Sequence, residues 1–134
     1  MILVDSSAWV EFFRATGHPA DLKLCERMAS ETPGISTAAP IMMEVLRGIR
    51  DDQRHAEARA WMEALPQYAT SEAAFSRAGD LYRALRKRGV TIRSSMDCLI
   101  AAIAEEHGLR LLHVDHDFYP LIELTGIALV PLVG

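Results

Sequence analysis

Hydrophobic positions along the chain switch period repeatedly, from short continuous runs to helical spacing and back. Ile2-Leu3-Val4 is an aliphatic run closed by polar residues and predicts a buried strand. From Ser7 to Arg14, the residues Ala8, Trp9, Val10, Phe12 and Phe13 fit a helix entered through a serine cap. Gly17-His18-Pro19 predicts a turn, and residues 20–30 a second helix. Ile35-Ser36-Thr37 predicts a short strand. Residues 39–49 predict a helix with Pro40 in its first turn, where a missing N–H costs nothing, and residues 53–64 another. After Pro66, residues 67–70 suit an edge strand. A long helix over 71–88 has a charged outer face and closes at Gly89. The next helix starts at Ser94 or Ser95, runs to His107 and ends at Gly108. Residues 110–114 predict a strand, 118–124 a short helix and 127–132 a last strand. Strands alternating with helices imply βαβ units, hence an α/β fold whose mostly parallel sheet carries helices on both faces. There is no internal repeat, linker or low-complexity segment.

At 134 residues, half of them hydrophobic, the chain is expected to form one domain over 1–134 with a sizeable core. No apolar run approaches the roughly 18 residues of a membrane span. The opening Met-Ile-Leu-Val-Asp lacks a secretory signal pattern, so a cytoplasmic protein without membrane attachment is expected. Cys25 and Cys98 fit a reducing compartment as ordinary helix residues. CxxC, HExxH and GxGxxG patterns are absent. The net charge of −4 argues against a broad grip on nucleic acid, though not against a local basic patch beside a metal.

Four acids interrupt otherwise apolar surroundings. Asp5 ends the first aliphatic run, Glu44 sits within Ile41-Met42-Met43-Glu44-Val45-Leu46, Asp97 opens the stretch to Ala104, and Asp115 follows Leu111-Leu112-His113-Val114. A carboxylate at the edge of a core is costly unless it is paired, hydrogen-bonded or bound to a cation. In open α/β sheets ligands bind beyond the carboxyl ends of the strands. Asp5 and Asp115 fall there, Asp97 in the first turn of the helix before the Asp115 strand, and Glu44 one turn into the helix after the Ile35 strand. Each has a plain structural alternative. Asp5 suits a helix cap, Asp97 a capping box with Ser94 or Ser95, Glu44 an i+3 pair with Arg47, and Asp115 with Asp117 a simple turn. Taken together the four point to one oxygen-rich site, which suits Mg²⁺ or Mn²⁺ better than zinc. His113 reads as a structural histidine and His116 belongs to no two-histidine ligand spacing. Arg86, Lys87, Arg88 and Arg93 read either as a solvated face or as a phosphate-steering patch beside the acids. Trp9, Phe12, Phe13, Leu46, Trp61 and Met62 read as core.

At these residues the chain resembles the PIN-domain family, specifically VapC-type toxins of bacterial toxin–antitoxin pairs. Val4-Asp5-Ser6-Ser7-Ala8-Trp9 resembles the opening Asp-x-Ser motif, and Met43-Glu44-Val45-Leu46-Arg47-Gly48 the Glu-x-x-x-Gly helix. Met96-Asp97-Cys98-Leu99-Ile100-Ala101-Ala102 resembles the third motif, and Leu112-His113-Val114-Asp115-His116-Asp117-Phe118 the fourth. The resemblance spans essentially the whole length. It implies a three-layer α/β/α sandwich with strand order 3-2-1-4-5 and an endoribonuclease that hydrolyses RNA with a metal-activated water. It also implies Mg²⁺ or Mn²⁺ as cofactor, a VapB-like antitoxin as partner and a homodimer. By position, Asp5, Glu44, Asp97 and Asp115 are the implied catalytic metal ligands, Asp117 an auxiliary acid and Ser7 a polar support. His113 stands where many relatives carry Thr or Ser.

Two other functions compete. A haloacid-dehalogenase or receiver-like phosphotransfer domain also places an Asp after its first strand. It needs a second Asp where Ser7 stands, or a Lys after a late strand, and the only lysines are Lys23 and Lys87. An inactive partner-binding domain would have little reason to keep four costly acids.

Overall fold

The structure is a computed structural model that describes residues 1–132. The chain runs β1 (Ile2–Val4), α1 (Ser6–Phe13), α2 (Pro19–Met28), β2 (Ile35–Ala38), α3 (Ala39–Arg47), α4 (Asp52–Glu63), β3 (Gln67–Tyr68), α5 (Glu72–Lys87), α6 (Ser95–His107), β4 (Arg110–Leu112) and α7 (Phe118–Thr125). The strands pair in parallel in the order β3-β2-β1-β4, with Ile2 opposite Ile35 on one side and Arg110 on the other. Successive residues of a strand face opposite sides of a sheet. Ile2, Leu3 and Val4 are nonetheless all buried, so both faces of β1 are covered and the architecture is a three-layer α/β/α sandwich.

Helix α1 packs against α2 and α3, and α3 against α4, while α5, α6 and α7 form a second group. The helix α6 is the spine of that group, with every residue from Asp97 to Ala104 buried. Ala101, Ala102 and Ala104 keep its girth small enough to lie against α5, which presents Ala74, Ala78, Leu81 and Leu85 at helical spacing. On the other side, the rings of Trp9, Phe12, Phe13 and Trp61 pack at centroid separations from 5.3 to 6.1 Å and join α1 to α4. Trp9 is fully buried, whereas Phe12, Phe13 and Trp61 are only partly so.

Three expected strands are shorter than the apolar pattern suggests, and β3, expected over 67–70, ends at Tyr68. β4 stops at Leu112 because the next available amide, Val114 N, is taken by the Ser7 hydroxyl rather than by a neighbouring strand. The segment 127–132 is not a strand but a single parallel bridge between Leu129 and Leu111. Leu111 N donates to Ala128 O, and Val130 N to Leu111 O. Pro131 then has no N–H with which to continue the ladder. This bridge lies beside β4, where the order 3-2-1-4-5 puts the fifth strand.

Candidate metal centre

Asp5 sits at the junction of β1 and α1 and caps the helix: its Oδ2 accepts from Ser7 N at 3.0 Å. The same oxygen accepts from the Ser7 hydroxyl at 2.5 Å, and that hydroxyl in turn accepts from Val114 N at 3.0 Å. Asp5 N donates to Leu112 O at 2.9 Å. Ser7 therefore orients Asp5 and ties the carboxyl ends of β1 and β4 together. The other oxygen, Oδ1, is buried with no hydrogen-bond partner among the described residues. Capping therefore occupies only one of the two carboxylate oxygens.

The helix α6 is capped by Ser94, whose hydroxyl accepts from Met96 N at 3.2 Å. Asp97 occupies the third helical position but does not reach back to complete a capping box. Among the described residues its carboxylate accepts no hydrogen bond, and it faces the other acids instead. Beyond β4 the chain reverses in an Asx turn in which Asp115 Oδ1 accepts from Asp117 N at 3.0 Å. The turn aims both carboxylates toward Asp97, and one oxygen of each of Asp97, Asp115 and Asp117 lies within 4.8 Å of the others. Glu44 stands off from this triplet. Its Oε1 accepts from the Ser6 hydroxyl at 3.1 Å, and Arg47 approaches its Oε2 at 3.8 Å.

All five acids line one cavity of about 440 Å³, together with Ser6, Ser7, Arg47 and Arg93. Arg93 is largely exposed and pairs with Asp117 at 3.6 Å. Burial pushes the Asp5 carboxyl up from 3.8 to about 6, a rise the Ser7 hydrogen bonds reduce and the Glu44 charge adds to. Burial, and then the charges of Asp5, Asp115, Glu44 and Asp117, push Asp97 up to about 7. The site is thus rich in negative charge, and among the described residues Asp5 Oδ1 and Asp117 Oδ2 are buried without a hydrogen bond, the latter 3.6 Å from Arg93 Nε. Acceptors of this kind, all of them oxygens, suit a hard divalent cation.

Of the residues singled out in the sequence, Asp5, Ser7, Glu44, Asp97, Asp115, Asp117 and Arg93 meet at this cavity. Arg86, Lys87 and Arg88 lie exposed at the end of α5 and do not line it, with Arg86 over the Tyr82 ring at 5.9 Å. Asp117, expected as an auxiliary acid, is part of the compact triplet, and Asp5 and Glu44 are not. Ser6 was not anticipated. The only signal for it was a second serine at the start of α1, at the unspecified position of the Asp-x-Ser motif. His113 is buried, which holds its imidazole below the ordinary 6.5, and its Nδ1 has no partner. Its ring lies 5.0 Å from that of Phe118. Neither Lys23, which pairs with Glu26, nor exposed Lys87 lines the cavity, so the phosphate-binding lysine of a receiver-type site has no counterpart.

Residues 2–122 match the family model for the PIN domain. The chain belongs to the PIN-domain family. Within it, the chain groups with the VapC proteins, being 42% identical over 128 residues to a VapC ribonuclease of Mycobacterium bovis and to ribonuclease VapC11 of Mycobacterium tuberculosis. Each of these matches covers 95% of this chain and 96% of the relative. Among solved structures the fold is similar to VapBC2 from Rickettsia felis bound to a promoter DNA fragment, at TM-score 0.73 and 15% identity, covering 97% of this chain and 98% of that one. It is also similar to Mycobacterium tuberculosis VapC20, a sarcin-ricin loop cleaving toxin, at TM-score 0.71 and 18% identity, covering 97% and 98%.

Proposed function

We propose that this protein is an endoribonuclease that hydrolyses RNA phosphodiester bonds with Mg²⁺ or Mn²⁺, and that it is the toxin of a VapBC-type pair. The observation that carries the reading is the convergence of the Asp97, Asp115 and Asp117 oxygens within 4.8 Å in a cavity also lined by Asp5 and Glu44. Those five acids are the groups that would hold the cation. A bound divalent ion supplies Lewis acidity toward a phosphoryl oxygen and makes water a better nucleophile near neutral pH. The chain's own residues do the rest. Ser7 holds Asp5 in one orientation, and Ser6 does the same for Glu44. Arg93 and Arg47, each beside one of the acids, are placed to contact the phosphate. Base preference comes from the surface around the cavity rather than from the acids.

Membership of the VapC group extends the proposal to a VapB-like antitoxin as inhibitor, a homodimer and a cytoplasmic location. Among the described residues no helix is long and apolar enough to cross a membrane. The test is cleavage of total RNA by purified protein in Mg²⁺ or Mn²⁺, with Asp5→Asn and Asp97→Asn prepared identically. Cleavage is expected from the wild type alone and is abolished by EDTA. Equal cleavage by the variants, or cleavage that survives EDTA, marks a contaminating nuclease and overturns the assignment.

A further inference from the structure

The turn that carries Asp115 and Asp117 into the cavity also carries two rings that the metal centre does not use. Tyr119 is 53% exposed, an unusual state for so large an aromatic group, and its hydroxyl has no hydrogen bond among the described residues. His116 is exposed as well, and its ring lies 5.7 Å from that of Tyr119 at an interplanar angle of 36°. Tyr119 does not hang free. Its amide donates to His116 O at 3.1 Å, and its ring rests edge-on against buried His113 at 5.6 Å and 76°. His113 is in turn packed against Phe118, which is fully buried. A chain of ring contacts thus runs from Phe118 in the core through His113 and Tyr119 to His116, and its last two rings are exposed outside the cavity lining. Tyr119 is two residues beyond Asp117, so their Cα atoms are no more than about 7.6 Å apart.

Resting on the ribonuclease reading, we propose that His116 and Tyr119 form a stacking platform for an unpaired RNA base next to the phosphate that a cation on the acids would bind. Every base has a π face, so such a platform takes any of the four, but only when the base is free of its own stack. The substrate class is therefore single-stranded or looped RNA, and duplex RNA is excluded because its bases are not available. The platform adds affinity on the base side, while Arg93 and Arg47 act on phosphate. The two contributions should respond differently to salt, since stacking releases no counterions.

The test is fluorescence anisotropy in EDTA, with a short labelled single-stranded RNA that the wild type is known to cut and the same strand annealed into a duplex. Wild-type protein is expected to prefer the single strand by about tenfold or more, the size of one lost base–aromatic stack. Tyr119→Leu should lose that preference, Tyr119→Phe should keep it within about twofold, and neither should change the slope of affinity against salt. With metal present, Tyr119→Leu should raise KM and leave kcat near the wild-type value. If the wild type cuts RNA but Tyr119→Leu binds and cuts like it, the platform fails while the ribonuclease reading stands. If Tyr119→Leu instead dissociates a dimer with RNA binding intact, Tyr119 is a protein contact and the platform is again refuted. A wild type that neither cuts nor binds RNA removes both.

Discussion

Replacing Asp97 by Asn should make the metal-free protein more stable, by an amount that grows with pH. In the unfolded chain Asp97 loses its proton near 3.8, whereas in the fold burial and the neighbouring acids delay that loss to about 7. Between these values the folded state holds a proton that the unfolded state has released. The stability tied to that proton is complete below 3.8 and is lost as pH rises through about 7. Three units at about 1.4 kcal/mol each give a ceiling of about 4 kcal/mol for ionised Asp97. Asn keeps the shape, never ionises and removes one charge facing Asp5, Asp115, Glu44 and Asp117, though its buried amide costs about 1 kcal/mol. The advantage of the variant should therefore widen by about 2–4 kcal/mol between about pH 4.5 and about pH 8. Urea unfolding in EDTA at fixed protein concentration measures it, as a relative midpoint shift of about 1 M or more between those pH values. A constant difference across the range, or a variant less stable at pH 8 than at pH 4.5 relative to wild type, would refute the reasoning.

Ser7→Ala removes the hydroxyl that both orients Asp5 and satisfies Val114 N, leaving a buried carboxylate oxygen and an amide short of partners. A loss of about 1–3 kcal/mol in stability is expected by urea titration, and RNA cleavage should fall with it, whereas Ser7→Thr should retain most of both. Arg93→Gln should lower RNA affinity for all sequences alike and reduce the magnitude of the salt slope by about 1 in an anisotropy titration. An unchanged slope would place Arg93 away from phosphate.

Much of the fold was legible because its elements carry strong local signals. The aliphatic run at Ile2–Val4, the serine cap before α6 and Gly108 at its end each leave one physical option, and the observed bounds follow them closely. What was not legible was set by single long-range bonds. The end of β4 depends on which acceptor Val114 finds, and that acceptor, Ser7, is more than a hundred positions earlier in the chain. The apolar pattern of 127–132 reports that Ile127 and Val130 are buried, but not that only one bridge forms. The same holds at the site. Strand ends and helical spacing bring Asp5, Glu44, Asp97 and Asp115 to one end of the sheet. The Asx turn places Asp117 in the triplet with Asp97 and Asp115, while Asp5 and Glu44, bonded to Ser7 and Ser6, line the same cavity outside it.

The central claim is that these acids converge in order to hold a divalent cation, and Mn²⁺ binding followed by electron paramagnetic resonance tests it without reference to activity. Metal-free wild-type protein should bind Mn²⁺ at millimolar concentrations or below, Mg²⁺ should compete, and binding should weaken as pH falls below about 7 because Asp97 must lose its proton. Asp97→Asn and Asp115→Asn should each weaken it by about tenfold or more, the range expected when a ligand or its orienting partner is lost. Binding that is absent from the wild type, or undiminished when both substitutions are combined, would contradict the account.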